Sequence, residues 1–229
     1  MKKIKFLAVL LIFSVSLPSY CGQAYRLISD SLTQENYCDF VLGARSIVSF
    51  IKSQHESTGM QYYKNTAGKI PAGSIATIMY KNLHYVQIGA SGVVNFKDCI
   101  DGDMFYLETK RASVVNFRDG AVCDVLYLEL GQSSVVAVNG KSKIRKLVLD
   151  LSNACMVNLK DIAVDTLALV GNGKSSVIKI NGTINLMMNC KDYSTMIAGK
   201  YIVNDIMEGD GLCKDLRKEV DKFKKAVKP

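Results

Sequence analysis

Between residues 92 and 180 apolar side chains alternate with polar or small ones, and the alternation returns every 21 residues. Five segments carry it: Gly92-Val93-Val94-Asn95-Phe96, Ser113-Val114-Val115-Asn116-Phe117, Ser134-Val135-Val136-Ala137-Val138, Cys155-Met156-Val157-Asn158-Leu159 and Ser176-Val177-Ile178-Lys179-Ile180. A period of two residues predicts strands, and a fixed longer period predicts a stacked repeat architecture. Within each segment the first, third and fifth residues share one face, which is expected to point inward. A second motif lies between these segments: Phe105-Tyr106-Leu107-Glu108, Leu126-Tyr127-Leu128-Glu129 and Leu147-Val148-Leu149-Asp150, with Leu167-Ala168-Leu169-Val170 arriving one residue early. Here Leu126, Leu128 and Leu130 share a face, as do Leu147, Leu149 and Leu151.

Turn residues separate the strands. Asn139-Gly140 and Asn181-Gly182 follow the third and fifth copies, and Asp98, Asp119 and Asp161 take neighbouring places in the others. The pattern predicts an all-β chain wound into a single-stranded parallel β-solenoid. Each coil of about 21 residues would hold about two strands and one apolar corner, the corners being Ile100, Val122, Ile144, Ile162 and Ile184. No single coil can bury enough apolar surface to fold alone, so the coils must stack. Five or six of them, at roughly 4.8 Å each, make a rod of roughly 25–30 Å. Tyr85-Val86-Gln87-Ile88 fits the second motif one period early, and Thr195-Met196-Ile197 reads as a degraded last copy.

The flanks differ in character. Residues 1–24 read as a secretory signal peptide: Lys2, Lys3 and Lys5 precede an apolar run from Phe6 to Val15, and cleavage after Cys21 or Ala24 fits the small residues there. A lipid on Cys21 is the weaker alternative, because Pro18 and Tyr20 suit that signal poorly. Residues 25–70 are expected to form atypical N-terminal coils or a cap, residues 71–207 the solenoid, and residues 208–229 a C-terminal amphipathic helix. In that tail Leu212, Leu216, Val220, Phe223 and Val227 fall on one stripe, with Asp210 placed as N-cap.

The net charge is +8, but signal and tail each contribute +3, which leaves only +2 on the rest. No basic stripe with interleaved aromatics runs along the repeats, so a nucleic-acid partner is not expected. The basicity fits solubility and attraction to an anionic envelope surface, including peripheral association with a membrane. Seven cysteines are present; Cys99, Cys123, Cys155 and Cys190 occupy different places in their coils and form no column. Cys155 stands where other copies have Ser or Gly and reads as a buried small hydrophobe. Cys38 and Cys213, in the two flanks, have no assigned partner.

Three outward columns are candidates for function. Glu108, Glu129 and Asp150 would stack, either as a cation site or as an acidic ladder compensated by Lys110, Arg111 and Lys146. Lys97, Arg118 and Lys160, each followed by Asp98, Asp119 or Asp161, form a second set, which recurs too regularly for a single active site. Val93, Val114, Val135, Met156 and Val177 form an apolar stripe that is either a partner surface or covered by a flank. Tyr106 and Tyr127 are expected to stack on the outer face. The only histidines, His55 and His84, lie beside no Ser or Cys motif. No catalytic residue, cofactor or metal ligand is therefore expected.

With its signal-like leader, Ser/Gly-Val-Val strands and alternating Leu-x-Leu strands, the chain resembles the bacterial auto-transporter adhesin, head GIN domain family over roughly residues 35–205. It has fewer of that family's Ser-Gly turns; only Ser91-Gly92 and Gly171-Asn172-Gly173 match them. The resemblance implies a right-handed parallel β-helix in the envelope or outside the cell and carries no catalytic residues. The expected function is a non-catalytic exported binding, adhesion or scaffold module at the bacterial cell envelope. It would act on an envelope or host-surface protein or glycan, with self-association through the solenoid faces or ends. The alternative is a polysaccharide-active enzyme of the pectate-lyase type using Asp, Lys and Arg on the rod.

Overall fold

The computed structural model describes residues 26–27, 32–33, 39–53, 68–171, 173–189, 195–208 and 210–227. The signal-like segment, His55, Cys38, Cys190 and the side chains of Asp210, Cys213 and the helical stripe Leu212, Leu216, Val220, Phe223 and Val227 lie outside the described residues. Sixteen strands are described. The first eight are β1 Arg26–Leu27, β2 Leu32–Thr33, β3 Asp39–Leu42, β4 Ile47–Lys52, β5 Gly68–Ile70, β6 Ser74–Tyr80, β7 Tyr85–Ile88 and β8 Val93–Phe96. The others are β9 Ile100–Thr109, β10 Val114–Phe117, β11 Ala121–Leu130, β12 Val135–Val138, β13 Ser142–Leu151, β14 Met156–Leu169, β15 Val177–Asn189 and β16 Met196–Glu208, followed by helix α1, Asp210–Val227. All strand pairs are parallel, and from β7 to β16 the chain winds through about six turns of a β-solenoid.

The inward alternation is realised as expected. Val94, Val115, Val136, Val157 and Ile178 are fully buried, as are Phe96, Phe117, Val138, Leu159 and Ile180. Leu107, Leu128, Leu149 and Leu169 close the opposite side of the same core. Phe50, Phe96 and Phe117 stack at centroid distances of 5.2 and 4.7 Å, one ring per level.

Each turn has three straight runs where two were expected. Along β11 the buried residues are Ala121 and Cys123, then Leu126, Leu128 and Leu130. The step from 123 to 126 breaks the two-residue alternation, and Asp124 drops out of register with both neighbouring strands. A bend there adds a third side. This corrects the expected corner: Val122 points outward and is 47% exposed, while Ala121 and Cys123 face the core. The other expected corner residues are buried but divide between two columns: Ile100 and Ile162 in one, Ile144 and Ile184 in the next. Asn181-Gly182, expected as a turn, lies inside the continuous strand β15.

The turn before each short strand is built on a left-handed residue that is not glycine. Arg45, Ser91, Ala112, Ser133, Ala154 and Ser175 all have φ between 57° and 60°. Such a conformation costs about 1–2 kcal/mol per residue. Hydrogen bonds along the rod hold it: the N–H groups of Ser91, Ala112 and Ala154 each donate to a carbonyl of the next coil, at 2.8 Å. The buried serine that follows satisfies further turn carbonyls. Ser134 Oγ donates to Lys110 O at 2.8 Å, and Ser176 Oγ to Ser152 O at 2.9 Å. The small-residue column is thus a hydrogen-bonded staple, with Cys155 filling one level of it.

At the N-terminal end spatial order departs from chain order. β4 lies between β6 and β8, and β3 lies between β5 and β7. Residues 39–52 therefore form a coil wedged between the later coil 68–80 and the regular turns. β1 and β2 pair with the outer edge of β6.

Candidate functional site

The long side of the solenoid carries a repeated tyrosine–carboxylate motif. Parallel register stacks Tyr85, Tyr106 and Tyr127 in one outward column, and Gln87, Glu108, Glu129 and Asp150 in the next. Each phenol reaches diagonally to the acid of the following coil. Tyr85 Oη donates to Glu108 at 2.9 Å, Tyr106 Oη to Glu129, and Tyr127 Oη to Asp150 at 3.0 Å. The rings pack 5.1 and 4.6 Å apart. Burial, and then the hydrogen-bonded and neighbouring carboxylates, push all three phenols well above the ordinary tyrosine range.

The acids are compensated along the ladder. Glu108 is buried and accepts hydrogen bonds from Gln87 Nε2 at 2.9 Å and from Lys110. Glu129 pairs with Lys224 of α1 at 2.8 Å, with Asp150 3.7 Å from the same ammonium. That ammonium also lies 5.7 Å from the Tyr127 ring centre. Partial burial pulls the Lys224 pKa down, but Glu129, Asp150 and Asp221 outweigh it and hold it above the usual lysine value. Lys146, expected to serve the ladder, instead reaches Glu219 on the helix. α1 is thereby fixed along the long side.

Tyr106 and Tyr127 stack on the outer face as expected, yet both are buried, as is Glu108. They form part of the packing on that side and present no open partner surface. Lys224 was not legible as their counter-charge, because it stands in the tail, 95 residues after Glu129 in the chain. The signal available was the Tyr-x-acid spacing of Tyr106-x-Glu108 and Tyr127-x-Glu129, whose register alone brings phenol and carboxylate of successive coils together. Beside the helix Asp150, Ser152, Asn153, Gly171, Arg217 and Asp221 line a cleft of about 500 Å³.

The short side is different. Its outward column runs Ile75, Ile47, Val93, Val114, Val135, Met156, Val177 and Met196, in continuous register. These side chains are half-buried or exposed, with Met156 at 41%. Beside them Ser49, Asn95, Asn116 and Asn158 form a polar column interrupted at Ala137, in which Asn116 Nδ2 donates to Asn95 Oδ1 at 3.1 Å. The stripe is open at every described level. At roughly 4.8 Å per level it extends roughly 34 Å. The expected basic turn column is interrupted: register sets Lys160 against Asn181, and Asn139 stands between Arg118 and Lys160.

The third side is polar. Asp124 pairs with Arg145 at 3.5 Å, Asn185 donates to Asp165 at 3.1 Å, and Asn204 donates to Asn185 at 3.0 Å. These contacts are exposed and add little stability. No family model, curated protein or solved structure matches this chain. The class the geometry defines is a parallel β-solenoid with one helix-braced side and one apolar side that is uncovered among the described residues.

Proposed function

We propose that this chain is a non-catalytic exported rod of the bacterial cell envelope that binds through its short side. The observation that carries this reading is the unbroken apolar stripe from Ile75 to Met196, with the amides of Asn95, Asn116 and Asn158 beside it. A surface that repeats every level suits an extended or repetitive ligand, such as an envelope or host-surface glycan or protein. The signal-like segment at residues 1–24 and the resemblance to the head GIN domain family support the envelope location. The test is fractionation of native cells with the tagged chain, alongside the double variant Val114→Lys/Val135→Lys. Both positions face outward, so the fold is expected to survive while retention on envelope fractions drops. Recovery of the wild type in the cytosol, or equal retention of the variant, would overturn the reading.

The cleft beside α1 favours a second reading, since Asp150, Arg217, Asp221 and Lys224 converge there as acids and bases would in a polysaccharide-active enzyme. Against it, Lys224 is already engaged by Glu129 and Asp150. Turnover of any acidic polysaccharide by the purified chain, abolished by Arg217→Ala, would replace the binding reading with this one.

A further inference from the structure

Among the described residues the C-terminal end of the solenoid is open. β16 pairs with β15 on one edge, and among the described residues nothing pairs with its other edge. The core columns reach this level uncovered. Ile206 continues the inward column of Leu126, Leu147, Leu167 and Met187, yet it is 58% exposed where Met187 is 5%. Tyr201 likewise ends an inward column and is 37% exposed. Ile202 and Met207 add outward apolar surface at the same level. Helix α1 leaves this end clear. Fourteen residues separate Asp210 from Lys224, about 21 Å of helix, which is about four coil levels. Lys224 touches Glu129 and Asp150, so the helix starts level with β16 and runs away from the open end.

We infer that two copies of this chain join end to end through β16, tail to tail, into a two-fold symmetric dimer. Unpaired backbone donors and acceptors along a strand edge call for another strand. A linear peptide could follow only one straight run of this edge. The edge bends with the coil over its thirteen residues, so another bent coil end follows more of it than a straight strand does. Head-to-tail stacking is hindered, because β1 and β2 already pair with Ser74, Ile75, Ile78 and Met79 on the β6 edge at the opposite end. Tail to tail, the two strands run antiparallel. β16 carries Lys200 towards its start and Asp205 and Glu208 towards its end, so it is complementary in charge to its own reversed copy. Such an isologous contact closes on itself and does not propagate.

The test is the molar mass of the full chain by light scattering and sedimentation, with Ile206→Asp and Ile202→Lys compared. Wild type is expected at twice the chain mass. Ile206→Asp sets a charge in the joined core and is expected to weaken the dimer at least about a hundredfold. Ile202→Lys sits on the outer surface of the monomer, so its circular dichroism is expected to be unchanged while the dimer weakens. Cross-linking of a mixture of isotope-labelled and unlabelled chains is expected to join Lys200 or Lys179 of one copy to the same residues of the other. A wild-type monomer at about 100 μM, dimers that survive both substitutions, or links joining Lys200 to Lys69 of another copy would overturn the inference.

Discussion

Replacing Glu129 by Gln isolates the contact that ties the helix to the rod. The side chain keeps its shape and can still accept from Tyr106, but the carboxylate charge is gone. Exchanging a charged acceptor for a neutral one costs about 1 kcal/mol at the phenol. The ion pair with Lys224 leaves the two side chains 29% and 24% exposed. Solvent therefore screens it, and its loss adds about 0.5–1 kcal/mol. The expected total is about 2 kcal/mol, a fall in melting temperature of about 4–8 °C for a chain of this size. Urea unfolding followed by circular dichroism measures it. Lys224→Met completes a double-mutant cycle with an expected coupling of about 0.5–1 kcal/mol. Additive effects of the two substitutions would show that α1 does not rest on this ladder.

Three further outcomes follow from the same geometry. Leu128→Asp, at a fully buried position, is expected to abolish folding, whereas Val122→Asp on the exposed corner is expected to leave the melting temperature within about 2 °C; equal effects would refute the three-sided assignment. Ala112→Gly, at a φ of 57° on an exposed turn, is expected to stabilise the rod by about 1 kcal/mol in urea melts, while Ala112→Val destabilises it. For pH, the phenols of Tyr85, Tyr106 and Tyr127 have folded-state values raised above 10.0, so their contribution is fully present below that pH and lost as pH climbs beyond it. Stability is expected to be flat in this respect to about pH 10 and to fall above it, with a shallower fall in Tyr106→Phe; Cys123, pushed by burial from 9.0 up to about 12, adds an alkaline loss that sets in from about pH 9.

The inward columns were legible because strict alternation forces Val115, Phe117 and Leu128 onto one surface whatever the rest of the chain does. The third side was not, because one slipped residue at Asp124 reverses the parity on which that reading depends, so Val122 took the place of Cys123. The left-handed turn position carried no signal: Ser91, Ala112 and Ser133 are held there by hydrogen bonds between coils, and intrinsic preference argues against them. The apolar short-side stripe could be read from spacing, but whether it was bare or covered depended on where α1 docks. That docking is set by Lys224 and Glu219, which meet their partners only in three dimensions.

The wedged coil gives the rod a fixed starting point. A solenoid whose spatial and chain orders agree can grow coil by coil from any early turn. Here residues 39–52 gain their neighbours on both edges only once residues 68–80 and 85–96 have been made, so those three coils must interleave to complete this end of the stack. The loops closed in that step are the costly ones, so they set the nucleation barrier, and each later coil adds a short-range increment. A chain cut after a C-terminal coil should still hold this end, whereas one lacking residues 39–52 would lose the coil that joins residues 68–80 to the regular turns.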